Sequence, residues 1–163
     1  MKRLIALITA LVIAAMGAGC GSGEETANTN SDAPAQAQET EETNVEKTLH
    51  LFINDTEVSV DWEENESVDA LRALVADEPL TVQMSMYGGF EQVGSLSTSL
   101  PRNDAQTTTR AGDIVLYSGN QIVVFYGSNS WAYTRLGHIT DQDAAGMTAL
   151  LGSGDVTITL TME

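Results

Sequence analysis

Aromatic residues and an arginine alternate within residues 125–139, "FYGSNSWAYTRLGHI". Trp131, Tyr133 and Arg135 are spaced by two, so a strand here would place all three on one face. Aromatic rings pack against peptides or small ligands, and arginine stacks on rings or binds carboxylates. The spacing therefore indicates a ligand-binding face. The alternative is that the first helix or a polar loop covers this face and Arg135 pairs with one of the chain's many acids.

A second candidate is the segment Tyr87-Gly88-Gly89-Phe90-Glu91, which follows a strand-like run. Paired glycines permit a tight turn and a close approach of another backbone. The two flanking rings could then lie at the rim of a concave surface, although a turn with no binding role is equally compatible. Together the two segments supply the candidate ligand-binding residues Tyr87, Phe90, Tyr126, Trp131, Tyr133 and Arg135.

Metal and nucleophilic chemistry find little support in the sequence. His50 and His138 are the only histidines and Cys20 the only cysteine, so a three-histidine zinc site is excluded. There is no HExxH, CxxC, G-x-S-x-G or phosphate-binding loop. We therefore predict no metal, no cofactor and no catalytic residue. His50, in the first predicted strand, is interpreted as structural.

The N-terminus has the pattern of an export signal. Lys2 and Arg3 precede an apolar run over residues 4–16, which is shorter than the about 20 residues that a membrane span needs. Small residues then lead to Cys20, in a pattern that resembles the bacterial lipobox, although Gly17 stands where leucine is usual. We predict a signal peptide over residues 1–19 and lipidation of Cys20. An ordinary signal peptide with a chance cysteine is the alternative.

Residues 20–46 are predicted to form a lipidated cysteine followed by a disordered acidic tether. After Cys20 this segment is rich in Glu, Thr, Asn, Gln, Ala and Ser and has no basic or aromatic residue, so it cannot bury enough apolar surface to order itself. The net charge of −16 repels nucleic acid and anionic headgroups. We therefore predict attachment to the extracytoplasmic face of the cell membrane through the lipid alone, and no nucleic-acid partner.

Residues 47–163 have the size of one domain, which we expect to be monomeric. The pattern predicts two strands around Asn54-Asp55, a helix with Val68, Leu71, Leu74 and Val75 on one face, about five strands, a helix from about Thr140 to Gly152, and a last strand. Short strands with hairpin turns favour antiparallel pairing. A closed barrel with a helix over each mouth leaves no open edge.

That order of elements is the cyclophilin order. The runs "LTVQMSMYGGFEQVGSL", "LPRND" and "GDIVLYSGNQIVVFYGSNSWAYTRLGHI" resemble small bacterial cyclophilin-like domains, and the resemblance covers about residues 49–162. It implies a mainly β fold with two helices, a closed eight-stranded antiparallel barrel, and no established activity.

The resemblance does not carry the isomerase motif. Cyclophilins that isomerise prolyl bonds use an arginine followed five residues later by Phe-Met-x-Gln, and the corresponding residues 80–96 contain no basic residue. That arginine donates to the prolyl nitrogen in the twisted amide. The sequence therefore favours a non-catalytic module that binds a peptide or small ligand. The alternative is a peptidyl-prolyl cis-trans isomerase acting on exported proteins.

Overall fold

The computed structural model describes residues 47–163, which contain ten strands and two helices. The predictions for residues 1–46, including Cys20, lie outside the described residues. Neither helix of the described domain is long and apolar enough to cross a membrane. The elements in chain order are β1 (Leu49–Ile53), β2 (Thr56–Val58), β3 (Val60–Trp62), α1 (Glu66–Leu74), β4 (Leu80–Tyr87), β5 (Glu91–Ser95), β6 (Ala105–Thr108), β7 (Asp113–Tyr117), β8 (Gln121–Phe125), β9 (Ser130–Ile139), α2 (Ala144–Leu151) and β10 (Val156–Met162).

The strands form one antiparallel sheet in the order β2-β1-β10-β4-β5-β8-β7-β9-β3, with β6 paired to the first half of β9. Its two ends, β2 and β3, are separated only by Ser59. The segment from Thr56 to Trp62 thus pairs with β1 through its first half and with β9 through its second half. Counted as one bent strand, it brings eight strands into a nearly closed barrel, which confirms the predicted cyclophilin-like architecture.

Local sequence explains the hairpins. Asn54 and Asp55 both have positive φ, of 44° and 67°, as the tight turn between β1 and β2 requires, and Asn and Asp tolerate this conformation better than most residues. Ser118 and Gly119 adopt positive φ in the same way between β7 and β8. Both predicted hairpins are confirmed. The first and last strands are also partners, since β1 pairs with β10 along its whole length.

Most of the apolar core fills the barrel and the space beneath the helices. In α1, Val68 and Leu71 are fully buried, but Leu74 is 39% exposed and does not join the predicted buried face. Asn65 caps this helix by accepting hydrogen bonds from the backbone N–H groups of the first turn. In α2 the cap is Asp143, three residues later than the predicted start at Thr140.

Gly137 supplies the first test of this architecture. It lies on β9 opposite Trp62, where β3 meets the barrel. A Cβ atom there would lie 2.8 Å from the backbone oxygen of Asp61 and 3.0 Å from Val60 Cγ1. The paired backbone of β3 cannot move aside without disturbing its hydrogen bonds to β9. We therefore expect Gly137→Ala to lower the free energy of unfolding by about 1–3 kcal/mol in urea titrations.

Gly146→Ala is the matched control for this prediction. The one short contact of its Cβ would be with Gln142 Oε1, the end of a flexible side chain, and its other neighbours would lie at ordinary contact distances. Because alanine also favours a helix by up to about 1 kcal/mol over glycine, we expect this variant to be neutral or more stable. A Gly137→Ala protein as stable as the parent would contradict the tight closure between β3 and β9.

Candidate functional site

The strands β5, β8, β7 and β9 are covered on both faces. Their inner face belongs to the barrel core, while Val115, Val123, Phe125 and Tyr133 form a second, smaller cluster on the outer face. The register places Val93 opposite Val123, and Val123 opposite Val115. Directly opposed residues share a face, so these valines form a continuous apolar floor outside the barrel.

A cavity of about 450 Å³ lies on this outer face. Tyr133 forms part of its wall and packs edge-to-face against Tyr117, with ring centroids 6.0 Å apart. Phe125 supports Tyr133 from the cluster in a similar arrangement at 5.7 Å. The full lining is Tyr87, Glu91, Val93, Tyr117, Gln121, Val123, Asn129, Trp131 and Tyr133. This is a concave, aromatic surface with a few polar groups, which is the usual composition of a small-ligand site.

The glycine turn between β4 and β5 builds one side of the cavity. Gly88 and Gly89 have positive φ, of 61° and 74°. The ring of Phe90 folds back over Gly88, where an added Cβ would clash with the ring. The three-residue turn makes Tyr87 and Glu91 a directly opposed pair at the end of the two strands. The predicted turn therefore exists, and it places a ring and a carboxylate together on the cavity wall.

Glu91 is the unusual residue of this site. Its side chain is 6% exposed, and its Oε2 atom is buried without a hydrogen-bond partner among residues 47–163. Within the same range it forms no salt bridge, whereas the other buried acid, Asp113, forms two. Burial raises the pKa of the Glu91 carboxyl above its ordinary value, because a low-dielectric surrounding disfavours the charged form.

Tyr133 brings a hydroxyl group to the same cavity. Asn129 donates a hydrogen bond of 3.0 Å from Nδ2 to the Tyr133 oxygen. Burial raises the pKa of Tyr133, the negative charge of Glu91 raises it further, and the bond from Asn129 opposes both in part. The phenol therefore stays neutral at ordinary pH and keeps its proton available to a ligand.

Arg135 shares the outer face with Tyr133 but points away from the cavity. Its guanidinium contacts Asp113 at 3.2 Å and Glu63 at 3.1 Å. Burial lowers the pKa of Arg135, but the hydrogen bonds and charges of these two acids outweigh it and hold the pKa above its ordinary value. The guanidinium of Arg135 thus pairs with carboxylates of its own domain and not with a group in the cavity.

A β-bulge in β9 brings a second side chain, His138, to the carboxylate that Arg135 contacts. Ile114 pairs with Gly137 but Val115 pairs with Arg135, so Leu136 is an extra residue in β9. Arg135 and His138 consequently reach the same carboxylate although they are three residues apart. His138 Nδ1 lies 2.8 Å from Asp113 Oδ1, and its other ring nitrogen lies 3.4 Å from Arg110. Because both ring nitrogens have partners other than a nucleophile, this group is a structural ion cluster.

The structure brings together three of the six predicted ligand contacts, since Tyr87, Trp131 and Tyr133 line the cavity. Tyr87 and Trp131 are 66% and 58% exposed at its rim. Phe90 packs against the outer cluster, and Tyr126 against the barrel core. Arg135 is paired with acidic residues instead. Phe90, Tyr126 and Arg135 therefore do not line the cavity. His50 contacts Glu57 at 2.7 Å in the β1–β2 hairpin.

Two other depressions are more polar. The larger, about 620 Å³, lies between the start of α1 and the segment around Arg102, whose guanidinium pairs with Asp104 at 3.4 Å. The other, about 540 Å³, surrounds Glu63, Arg110 and His138. No group of His, Cys, Asp and Glu in residues 47–163 is arranged to hold a metal ion. Of the three depressions, the aromatic cavity is the one that combines exposed rings with a buried acid that has no partner in residues 47–163. We therefore place the candidate site there.

Sequence reasoning included Glu91 in the candidate glycine segment but assigned no ligand-binding role to Glu91, Tyr117 or Asn129, which line the cavity. A signal for Glu91 was present, since a three-residue turn places the residues on either side of it opposite each other. Tyr87 and Glu91 stand in that relation in the sequence itself. Tyr117 and Asn129 reach the cavity only through the pairing of distant strands.

Comparisons with known proteins agree with this fold. The model of the cyclophilin-like family matches residues 51–163. The solution structure of a hypothetical protein from Archaeoglobus fulgidus superimposes with a TM-score of 0.52 at 16% identity, covering 74% of this chain and 98% of that one. That likeness concerns the fold alone. No curated protein matches the chain.

Glu91 predicts a characteristic pH dependence of stability. Since burial raises its folded-state pKa, the residue is tolerated at low pH, where the carboxyl is protonated in both states. The folded state is penalised as pH rises through the raised pKa. A buried carboxylate without a partner costs more when ionised than the neutral amide that would replace it. We therefore expect Glu91→Gln to raise the free energy of unfolding by about 1 kcal/mol at pH 8 and to change it little near pH 4.

Urea titrations at several pH values measure this difference. Glu78→Gln is the control, because it makes the same substitution at an exposed position and should give no pH-dependent gain. A gain from Glu91→Gln that is constant across pH would show that the carboxyl is not desolvated in the folded state.

Proposed function

The chain belongs to the cyclophilin-like family, and we propose that it is a membrane-anchored extracytoplasmic lipoprotein whose cyclophilin-like domain binds a peptide or small ligand without catalysing its conversion. The observation that carries the binding role is the aromatic cavity on the outer face of the barrel, with Tyr87, Trp131 and Tyr133 in its wall.

The rim of the cavity supports binding. Tyr87 and Trp131 are among the few large apolar side chains of residues 47–163 that are strongly exposed. A cluster of exposed rings beside an apolar floor typically marks an interaction site. A ligand inserted between them would cover Tyr87 and Trp131 and pack against Val93 and Val123.

The electrostatics of the cavity favour binding without catalysis of prolyl isomerisation. Prolyl isomerisation is accelerated by a donor aimed at the nitrogen of the twisted amide. No basic side chain of residues 47–163 lines the cavity, and Arg135, the nearest candidate from the sequence, is held by Asp113 and Glu63. The alternative function is a prolyl isomerase acting on exported proteins, and the observation that favours it is the cyclophilin-like barrel with an aromatic cavity on its outer face.

The anchoring role is supported by the sequence. Lys2, Arg3 and the apolar run precede the sole cysteine, Cys20, and an acidic segment separates it from the domain. A free thiol in an exported chain is unusual, and lipidation would account for it. Because the net charge of −16 opposes adsorption to anionic headgroups, acyl chains on Cys20 would supply the membrane affinity.

An isomerase assay separates the two functions. Loss of one electrostatic donor of this kind lowers a rate by about 10²–10³-fold. We therefore expect kcat/KM on a short prolyl peptide to be at most marginally above background, with an active cyclophilin as positive control. Arg135→Ala should leave that background unchanged. Robust parental activity that disappears in Arg135→Ala would establish an isomerase in which this arginine has taken over the role.

Membrane fractionation checks the anchor. We expect the full-length parent to sediment with membranes and Cys20→Ala to move to the soluble fraction, because the variant lacks the acyl chains. Washing with high salt distinguishes lipid anchoring from adsorption, since only adsorption is released by salt. Equal membrane partitioning of parent and Cys20→Ala would refute lipidation at this position.

A further inference from the structure

The aromatic cavity contains a charge that the domain leaves unpaired. Glu91 lines it with a buried oxygen that has no partner in residues 47–163. The basic residues of that range are engaged or distant from it: Arg72, Arg102 and Arg135 pair with acids, and neither Arg110 nor Lys47 lines the cavity. An ionised carboxylate in this position lacks the counter-charge that buried acids normally have.

Aromatic rings surround that carboxylate. Tyr117 and Tyr133 form the inner wall in an edge-to-face pair, and Tyr87 and Trp131 stand exposed at the rim. The face of an aromatic ring attracts a cation, and a set of rings beside an acid is the arrangement that recognises substituted ammonium groups. The valine floor provides the apolar surface that alkyl substituents need.

We infer that the cavity is a site for an organic cation, in which an ammonium group pairs with the Glu91 carboxylate while Tyr117, Tyr133 and Trp131 enclose its alkyl substituents. This inference rests on the proposed binding function and names the chemical class of the ligand. Such a ligand supplies the positive charge that Arg135 supplies to Asp113 on the same face of the sheet.

The charge of the whole chain acts in the same direction. At a net charge of −16, the protein attracts cations and repels anions, so a positively charged ligand is concentrated near the surface and associates faster. A neutral ligand would gain nothing from this field. It would also leave Glu91 uncompensated, because neutral polar groups offset a buried charge less well than an opposite charge does.

Choline and 3,3-dimethyl-1-butanol form a matched pair of probes. They share a shape and differ in charge, and the charge of choline does not change with pH. Binding is followed by NMR at the indole N–H signals of the chain's two tryptophans. Trp131 lines the cavity, whereas Trp62 donates its indole hydrogen to the Leu49 carbonyl and serves as internal control. Trp131→Phe assigns the two signals.

We expect choline to shift the Trp131 signal and to bind at least about tenfold more tightly than its neutral isostere. Glu91→Gln should remove that preference, whereas Glu78→Gln, with the same change of charge at an exposed site, should keep it. Choline affinity should rise with pH as Glu91 ionises. The other polar groups that line the cavity with Glu91 are the phenols of Tyr87, Tyr117 and Tyr133 and the amides of Gln121 and Asn129, and no basic or second acidic side chain lines it among residues 47–163.

Phenol, a neutral aromatic probe, separates the failure of this inference from that of the binding function. Phenol binding at Trp131 without choline binding overturns the cation assignment and leaves a ligand-binding module. Equal affinity for choline and its isostere, or a choline affinity that Glu91→Gln does not change, also overturns the assignment. If none of the three probes shifts the Trp131 signal, the cation assignment is overturned and the proposed binding function loses its main support.

Discussion

The pairing register of β5, β8, β7 and β9 is the constraint on which both the core and the site depend. Because directly opposed residues share a face, this register decides for every residue whether it enters the barrel core or the outer cluster. A shift of one residue between β7 and β8 would exchange Val115 and Val123 with Ile114 and Ile122. The apolar floor of the cavity and the barrel interior are thus fixed by the same hydrogen bonds.

The two buried carboxylates on this outer face, Asp113 and Glu91, differ in how many partners the domain gives them. Asp113 accepts hydrogen bonds from the Arg110 backbone N–H and from Arg135 and contacts His138, so its desolvation is offset by three partners. Glu91 retains a buried oxygen with no partner in residues 47–163. A protein that keeps an uncompensated acid at some cost in stability has a feature that packing does not explain. This contrast is the reason why the cavity is the candidate site.

Local sequence predicted the parts of the fold that local interactions determine. Asn54-Asp55 and Ser118-Gly119 have few conformations open to them other than tight turns, and the apolar spacing placed both helices close to their observed positions. The alternation of Trp131 and Tyr133 also predicted correctly that they share a face and, as the structure shows, both line one cavity.

The features that the sequence did not predict depend on pairing between strands that are distant in the chain. The extra residue Leu136 in β9 has no local signature, and this bulge places His138 on the same face as Arg135, so that both side chains contact Asp113. The strand β6 lies within a polar segment that has no alternation of apolar residues, and it forms by pairing with β9. Glu91 was visible as an acid beside a glycine turn, but its place opposite Phe125 is set by the pairing of β5 with β8.

The pairing of β1 with β10 also bears on the order of events in folding. The first strand of the domain has a partner that is made about a hundred residues later in the chain, so their contact carries a large loop-closure cost and forms late. Until β10 emerges, β1 and β4 lack the strand that lies between them. The barrel therefore cannot assemble progressively behind a ribosome or a translocation channel, and its closure waits until the last strand has been released.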